Sequence, residues 1–196
     1  MLTLINTNRM VPAIAPIGLE YVAEAAVRAG IEVSILDLAL CQDPQVALRE
    51  HFARCSPSLI GLSFRNVDDC FWPSAQWFVP GLAQLVQDIR RLSDAPIVVG
   101  GVGFSVFAQR VVEHTSVEFG IRGDGEGATV ALYRQLQNGR DFENIPGLLW
   151  RDNGRIRSNE PAWPADLSLP VRRNLIDNAT YFAKGGQCGF ETKRGC

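Results

Sequence analysis

Over most of its first 140 residues this chain alternates short aliphatic runs with longer stretches of helical period, and no other feature narrows its possible folds as far. Leu2–Asn6 reads as a strand. In the stretch that follows, Leu19, Val22, Ala23, Ala26 and Val27 share one helical face, with Glu24 and Arg28 placed as a supporting pair one turn apart. Gly30 ends that helix. Val33–Leu38 is a second strand. Asp43 before Pro44 then joins an N-cap to a first-turn proline and opens a helix whose Leu48, Phe52 and Cys55 turn inward. Leu59–Ser63 and Ile97–Val99 are the third and fourth strands, separated by a long loop and a helix carrying Leu82, Leu85, Val86, Ile89 and Leu92. A fourth helix, with His114 near its end, precedes a fifth strand at Val117–Ile121, and the last helix of the set runs from about Ala128 to Leu136.

Strands spaced by helices pair in parallel, because a parallel neighbour needs a crossover element and that crossover is right-handed. The class is therefore α/β, a doubly wound five-stranded parallel sheet, flavodoxin-like, in the order 2-1-3-4-5. That order leaves the fifth strand at an edge, as expected from the alternation of Val117, Phe119 and Ile121 with Glu118 and Gly120. Such sheets bind ligands at the carboxyl ends of their strands where the order reverses, here between strands one and three. Beyond the sheet, Leu148–Arg151 and Arg155–Ser158 flank Asp152-Asn153-Gly154, the signature of a β-hairpin. Pro161, Pro164 and Pro170 then mark a linker that closes on a strand-like piece from Cys188 to Cys196. The expected organisation is a sheet domain over 1–145, a hairpin extension over 146–160 and a linker over 161–196. A chain stopping in the loop after a strand is expected to be the N-terminal part of a longer protein.

Charge and composition exclude several classes. Lys and Arg number 19 against 21 Asp and Glu, for a net charge of -2, and they do not cluster, so the basic footprint of a nucleic-acid binder is missing. No apolar run approaches the roughly 18 residues of a membrane span. Asn6, Asn8 and Arg9 interrupt the N-terminal stretch, which rules out the apolar core of a signal peptide. The expected location is cytoplasmic. Five cysteines, odd in number and widely spaced, are expected as reduced thiols.

The strand-end loops carry the functional information. Thr7–Gly18 after strand one and Phe64–Gln76 after strand three are long beside the usual connection of about two to six residues. Strand four leads into Gly100-Gly101-Val102-Gly103-Phe104 and strand five into Gly123-Asp124-Gly125-Glu126-Gly127. Glycine at these points either makes a tight turn or admits a ligand close to backbone N–H groups, and two adjacent clusters on one sheet edge favour the ligand. A dinucleotide fingerprint does not fit, since the Gly101-Val102-Gly103 piece follows the fourth strand rather than the first. A phosphorylation receiver would carry aspartate where Asn6 and Asn8 stand.

Taken in order, these stretches resemble the N-terminal cobalamin-binding domain of cobalamin-dependent radical SAM enzymes. The resemblance rests on Pro16-Ile17-Gly18-Leu19, Ile60-Gly61-Leu62-Ser63 with Arg65-Asn66, Val98-Val99-Gly100-Gly101 with Gly103, and Arg122-Gly123-Asp124-Gly125-Glu126. The segment from Leu169-Pro170 to Tyr181 is similar to the family's interdomain piece, and Thr192-Lys193-Arg194-Gly195-Cys196 to the start of its C-x-x-x-C-x-x-C motif. The resemblance implies that 1–145 is a cobalamin-binding domain and that 161–196 ends in the start of a truncated radical SAM domain. It implies cobalamin held above the sheet by Asn8, Pro16, Gly18, Ser63, Phe64, Arg65, Asn66, Gly100, Gly101, Val102, Gly103, Phe104, Gly123, Asp124, Gly125 and Glu126, its nucleotide tail running between loops four and five. Cys196 is implied as a ligand of a [4Fe-4S] cluster, which, with S-adenosylmethionine, belongs to the full-length parent only, because one cysteine cannot hold such a cluster. The implied activity of that parent is methyl transfer to an unactivated carbon or phosphorus centre of a small-molecule or peptide substrate, bound through the missing domain. Two other readings stand beside it: a non-enzymatic corrinoid carrier or sensor, and a flavodoxin-like nucleotide-binding module.

Many cobalamin proteins carry D-x-H-x-x-G after strand one, whose histidine binds cobalt, but Thr7–Gly18 contains neither Asp nor His. His51 and His114 are expected as ordinary helix residues. Arg65 has two roles open to it: an ion pair with Asp68 or Asp69, or a permanent charge under the cobalt face that cannot donate a lone pair. Asp68 and Asp69 read as loop or cap carboxylates, Asp124 and Glu126 as hydrogen-bond partners of corrin amides or ribose hydroxyls. Phe64, Phe71, Trp72, Trp77 and Phe104 either pack on the macrocycle or close the core, Phe64 and Phe104 being nearest the cofactor by position.

Overall fold

Strands covered on both faces are mostly apolar and buried along nearly their whole length, and three segments meet that condition. β1 (Leu2–Asn6) is buried throughout, and β3 (Leu59–Ser63) and β4 (Ile97–Gly100) are buried in all but their last residue. The computed structural model describes residues 1–162, 173–189 and 191. It joins these strands with β2 (Val33–Asp37), β5 (Phe119–Ile121), β6 (Leu148–Asp152) and β7 (Arg155–Ser158) in one sheet of order β2-β1-β3-β4-β5-β6-β7. β1 pairs in parallel with both β2 and β3, so the order reverses at β1 and β3 as expected.

Helices cover both faces. α1 (Ile17–Arg28) and α6 (Glu126–Asn138) pack together over one, burying Leu19, Ala23, Ala26, Ala128 and Leu132 against Leu4, Val98 and Ile121. α2 (Pro44–Arg54), α3 (Val79–Arg90) and α5 (Ala108–Thr115) enclose the other, around Ile5, Leu62, Val99 and Val112. Asp43 caps α2 as its sequence indicates, accepting from the backbone N–H of Gln45 at 2.8 Å and Val46 at 3.2 Å, with Pro44 in the first turn. Cys55, expected inside that helix, is its extended C-cap. The expected fourth helix is two, α4 (Val102–Val106) and α5, broken at Phe107.

Three further features depart from expectation. β5 is not an edge: β6 pairs antiparallel with it, and β7 with β6, so the hairpin extends the sheet. The polar half of the alternation has another cause. Glu118 lies before the strand, pairs with Arg90 and accepts from the Ile97 N–H at 2.9 Å, while Gly120 makes room for the Phe104 ring, whose Cζ would lie 2.2 Å from an added Cβ. Finally, residues 173–189, expected as linker, fold onto the domain. There α7 (Asn178–Ala183) buries Tyr181 completely. Leu169-Pro170 and the closing Thr192–Cys196, with the cluster ligand expected at Cys196, lie outside the described residues.

Candidate functional site

A cavity of about 1110 Å³ opens at the carboxyl edge of the sheet, above the reversal at Asn6 and Ser63. It continues down the face covered by α1 and α6 as far as Leu4, Gly61, Val98 and Ile121. Gly61 makes room for its neighbour in β1 at this depth: Leu4 Cδ2 lies 2.6 Å from where a Cβ would stand. One wall is loop one and the start of α1, through Ile14–Gly18, Leu19 and Val22. The opposite wall is Gly100–Val102 with Ser105 and Val106, then Gly123–Glu126 with Thr129.

The structure brings most of the expected site residues together here. Pro16, Gly18, Ser63, Arg65, Gly100, Gly101, Val102, Gly123, Asp124, Gly125 and Glu126 all line the cavity. Asn8, Phe64, Asn66, Gly103 and Phe104 do not. Asn8 shapes loop one instead, donating its N–H to Asn6 Oδ1 at 3.2 Å and accepting from the Met10 N–H at 3.0 Å. Phe64 and Phe104 are core residues, 4% and 0% exposed, and the Phe104 N–H donates to the Phe64 carbonyl. Phe71, Trp72 and Trp77 are exposed and line no part of the cavity.

The glycines divide by what a side chain would meet. At Gly103 a Cβ would stand 2.8 Å from the backbone of Arg65 and Asn66, and at Gly101, with φ at +105°, 2.7 Å from the Phe64 carbonyl oxygen. These two let loop four lie against loop three. Gly18, by contrast, has no atom within 4 Å of the added carbon, and Gly100 meets only the Ile121 carbonyl at 3.6 Å. There the missing side chains leave cavity.

Arg65 lies exposed at the mouth, its one hydrogen bond a long 3.5 Å donation to Asn66 Oδ1, and it forms no ion pair among the described residues. Asp68 and Asp69 serve their own loop: Asp68 accepts from Cys70, and Asp69 from the N–H groups of Phe71 and Gln76 and from Ser74 Oγ. The Ser74 hydroxyl and those amides hold the Asp69 carboxyl below its usual range. Neither histidine lines the cavity. His51 is buried in α2 against Thr3 Oγ1 at 3.3 Å, and burial, reinforced by Arg54, lowers its pKa.

Sequence reasoning missed the part of the site that comes from residue 173 onward. Phe182, Gly186, Gln187, Cys188, Gly189 and Glu191 also line the cavity. Tyr181 fixes this segment beneath them by donating to Asp37 Oδ2 at 2.7 Å and accepting from Asn6 Nδ2 at 3.0 Å, while Asn6 also donates to Asp37 Oδ1 at 2.8 Å. Burial and the Asp37 carboxylate push the Tyr181 phenol far up, so it stays a donor. Among the described residues no cluster of three or more His, Cys, Asp or Glu could hold a metal ion, and no helix is long and apolar enough to cross a membrane.

The model of the B12 binding domain family matches residues 5–133, the stretch that runs from β1 into α6 and supplies both glycine loops. The chain belongs to the B12-binding domain family. Over 149 residues, 74% of the chain, it is 38% identical to the tryptophan 2-C-methyltransferase of Streptomyces laurentii, and spans 25% of that protein. It superposes with a TM-score of 0.82 and 31% identity on the radical S-adenosylmethionine methyltransferase TsrM of Kitasatospora setae, solved with cobalamin and a [4Fe-4S] cluster bound. That match covers 94% of this chain and 38% of TsrM. The fold extends to the cobalamin-dependent S-adenosylmethionine radical enzyme OxsB, at a TM-score of 0.65 and 15% identity over 83% of this chain and 22% of OxsB. The chain thus spans well under half the length of each of these proteins.

The site of this B12-binding domain fits the family's cofactor. The cavity is larger than the roughly 300–1,000 Å³ of ordinary small-molecule sites. Its lining runs from Asn6 and Ser63 at the strand ends down to Leu4, Val98 and Ile121, and from α1 across to the two glycine loops, so it offers depth along the sheet as well as breadth. Asp124, Glu126 and Ser63 bring carboxylates and a hydroxyl to the lining, beside the aliphatic Leu4, Leu19, Val22, Val98 and Ile121, a mixture suited to a large, partly polar cofactor.

Proposed function

We propose that this chain is the cobalamin-binding part of a radical SAM methyltransferase, and that its own residues hold the cofactor with no imidazole beneath the cobalt. The observation that carries the reading is the glycine-walled cavity at the sheet reversal, with Arg65 at its mouth and both histidines elsewhere. Bound cobalamin supplies a cobalt centre that takes up a methyl group and passes it on. Gly18 and Gly100 leave space for the ring and tail, the Asp124 and Glu126 carboxylates would accept from peripheral amide N–H groups or ribose hydroxyls, and the Ser63 hydroxyl would donate or accept. Arg65 would bring a fixed positive charge to the bound cofactor from the cavity lining and offers no lone pair that could serve as a ligand to cobalt. The [4Fe-4S] cluster, S-adenosylmethionine and the small-molecule or peptide substrate belong to the parent protein beyond these residues, and the compartment is the cytoplasm. The similarity to a tryptophan methyltransferase supports this reading over a bare corrinoid carrier.

The test is to titrate the protein with hydroxocobalamin, desalt it and record the visible spectrum. One equivalent of retained cofactor is expected, and Arg65→His shifts the bands as an imidazole reaches cobalt. A colourless protein refutes cobalamin binding, and an unchanged Arg65→His spectrum removes Arg65 from the cobalt face.

A further inference from the structure

The family match ends at residue 133, yet the cavity is also walled by Phe182, Gly186, Gln187, Cys188, Gly189 and Glu191, more than forty positions later. The way this returning segment is held shows it to be built for that position. The Gln187 backbone joins loop one in a single parallel bridge opposite Ile14, its N–H donating to the Ala13 carbonyl and its carbonyl accepting from the Ala15 N–H, both at 2.9 Å. Gly186 allows that approach, since a Cβ there would lie 2.3 Å from the Ala13 carbonyl oxygen. The root of the segment is tied by Arg173, whose Nε donates to Glu20 Oε2 at 2.5 Å in the first turn of α1. The same guanidinium donates to the Gly189 carbonyl at 2.6 Å and to Asn178 Oδ1 at 3.1 Å. Glu20 is 1% exposed and its second oxygen has no hydrogen-bond partner among the described residues, so Arg173 compensates a buried carboxylate. One residue thereby joins α1, α7 and the end of the cavity wall. The Gln187 side-chain amide makes no hydrogen bond among the described residues and borders the cavity.

We propose that residues 173–189 are an integral wall of the cobalamin site, a strap latched by Arg173 on Glu20 that presents the Gln187 amide to the amide fringe of the macrocycle. This inference rests on the cobalamin reading above. Arg173 acts as a positioning residue through the strap, and Gln187 as a direct contact.

The experiment compares the 196-residue wild-type chain with Gln187→Ala, Arg173→Ala, Arg173→Lys and Gly18→Leu. Hydroxocobalamin affinity is read by visible titration, folding by thermal unfolding, and strap closure by tryptic cleavage after the exposed Lys184. Gln187→Ala is expected to weaken affinity about fivefold, the loss of one hydrogen bond, at an unchanged Tm. Arg173→Ala is expected to weaken it on the order of tenfold or more and to speed cleavage at Lys184. Arg173→Lys restores part of both, and cobalamin slows cleavage in the wild type but not in Arg173→Ala. If the wild type retains cobalamin and Gly18→Leu loses it, while Gln187→Ala and Arg173→Ala bind like wild type, the strap is overturned and the cobalamin reading stands. If the wild type retains none, both fall. If Arg173→Ala unfolds, Gln187→Ala and the cofactor's protection of Lys184 decide alone, and unchanged values in both overturn the proposal.

Discussion

Replacing Gly18 separates the cavity from the fold more cleanly than any other single change. Gly18 is the second residue of α1, lines the cavity, and has empty space around the position of an added Cβ. A leucine therefore meets no protein atom at its Cβ and gains helix propensity, at most about 0.8–1.0 kcal/mol and less so close to the helix start. For a chain of this length that corresponds to a Tm unchanged or raised by up to about 2–4 °C. In the cavity the added atoms occupy space assigned to the cofactor. Overpacking of that kind opposes binding by about 1–3 kcal/mol, a roughly five- to 150-fold rise in Kd. Circular dichroism during heating gives the first quantity and visible titration with hydroxocobalamin the second. The contrast is Gly103→Val, which drives a side chain into the backbone of Arg65 and Asn66 and should lower both stability and binding. Gly18→Leu binding within a factor of two of wild type would show that the cofactor does not occupy this wall.

His51 gives a pH test. Burial and Arg54 hold its pKa below the ordinary 6.5, so on acidification through 6.5 the unfolded chain takes up a proton that the folded one refuses. Stability is therefore fully present above 6.5 and falls with pH down to the folded-state pKa, with a slope of at most about 1.4 kcal/mol per pH unit from this group. Urea unfolding at pH 7.5 and 5.5 should show His51→Gln flattening that slope, and an unaltered slope refutes the assignment. At Gly120, alanine places its Cβ against the Phe104 ring and should lower stability by about 1–3 kcal/mol, with Phe104→Leu in the same chain recovering part of the loss. Additive losses in the double variant would show that the two do not share the space.

How much was legible in the sequence follows the range of the interactions concerned. The parallel strands, the reversal at β1 and β3, the Asp43 cap and the glycine loops are written in local period and turn chemistry, and they stand where expected. The neighbour of β5 is not local. The Asn153-Gly154 turn announces a hairpin but says nothing of which strand it will join, and that pairing depends on the burial of Leu148, Leu149 and Trp150. Phe104 sits in a glycine-rich loop that points to a ligand, yet its direction is set by the absent side chain of Gly120 on another strand. The cavity wall after residue 173 was hidden for the same reason: the Arg173–Glu20 pair spans 153 residues, and prolines before it give the appearance of a spacer.

The antiparallel course of β6 has a practical consequence. Leu148 pairs with Ile121 at the carboxyl end of β5, so the chain runs away from the cavity and turns at Asn153-Gly154 on the far side of the sheet. The tip is exposed and its positive φ is met by residues suited to it. A dye, an affinity handle or a surface tether grafted at that tip would leave the opposite rim open to solution, so capture of the coloured cofactor can be followed on immobilised molecules.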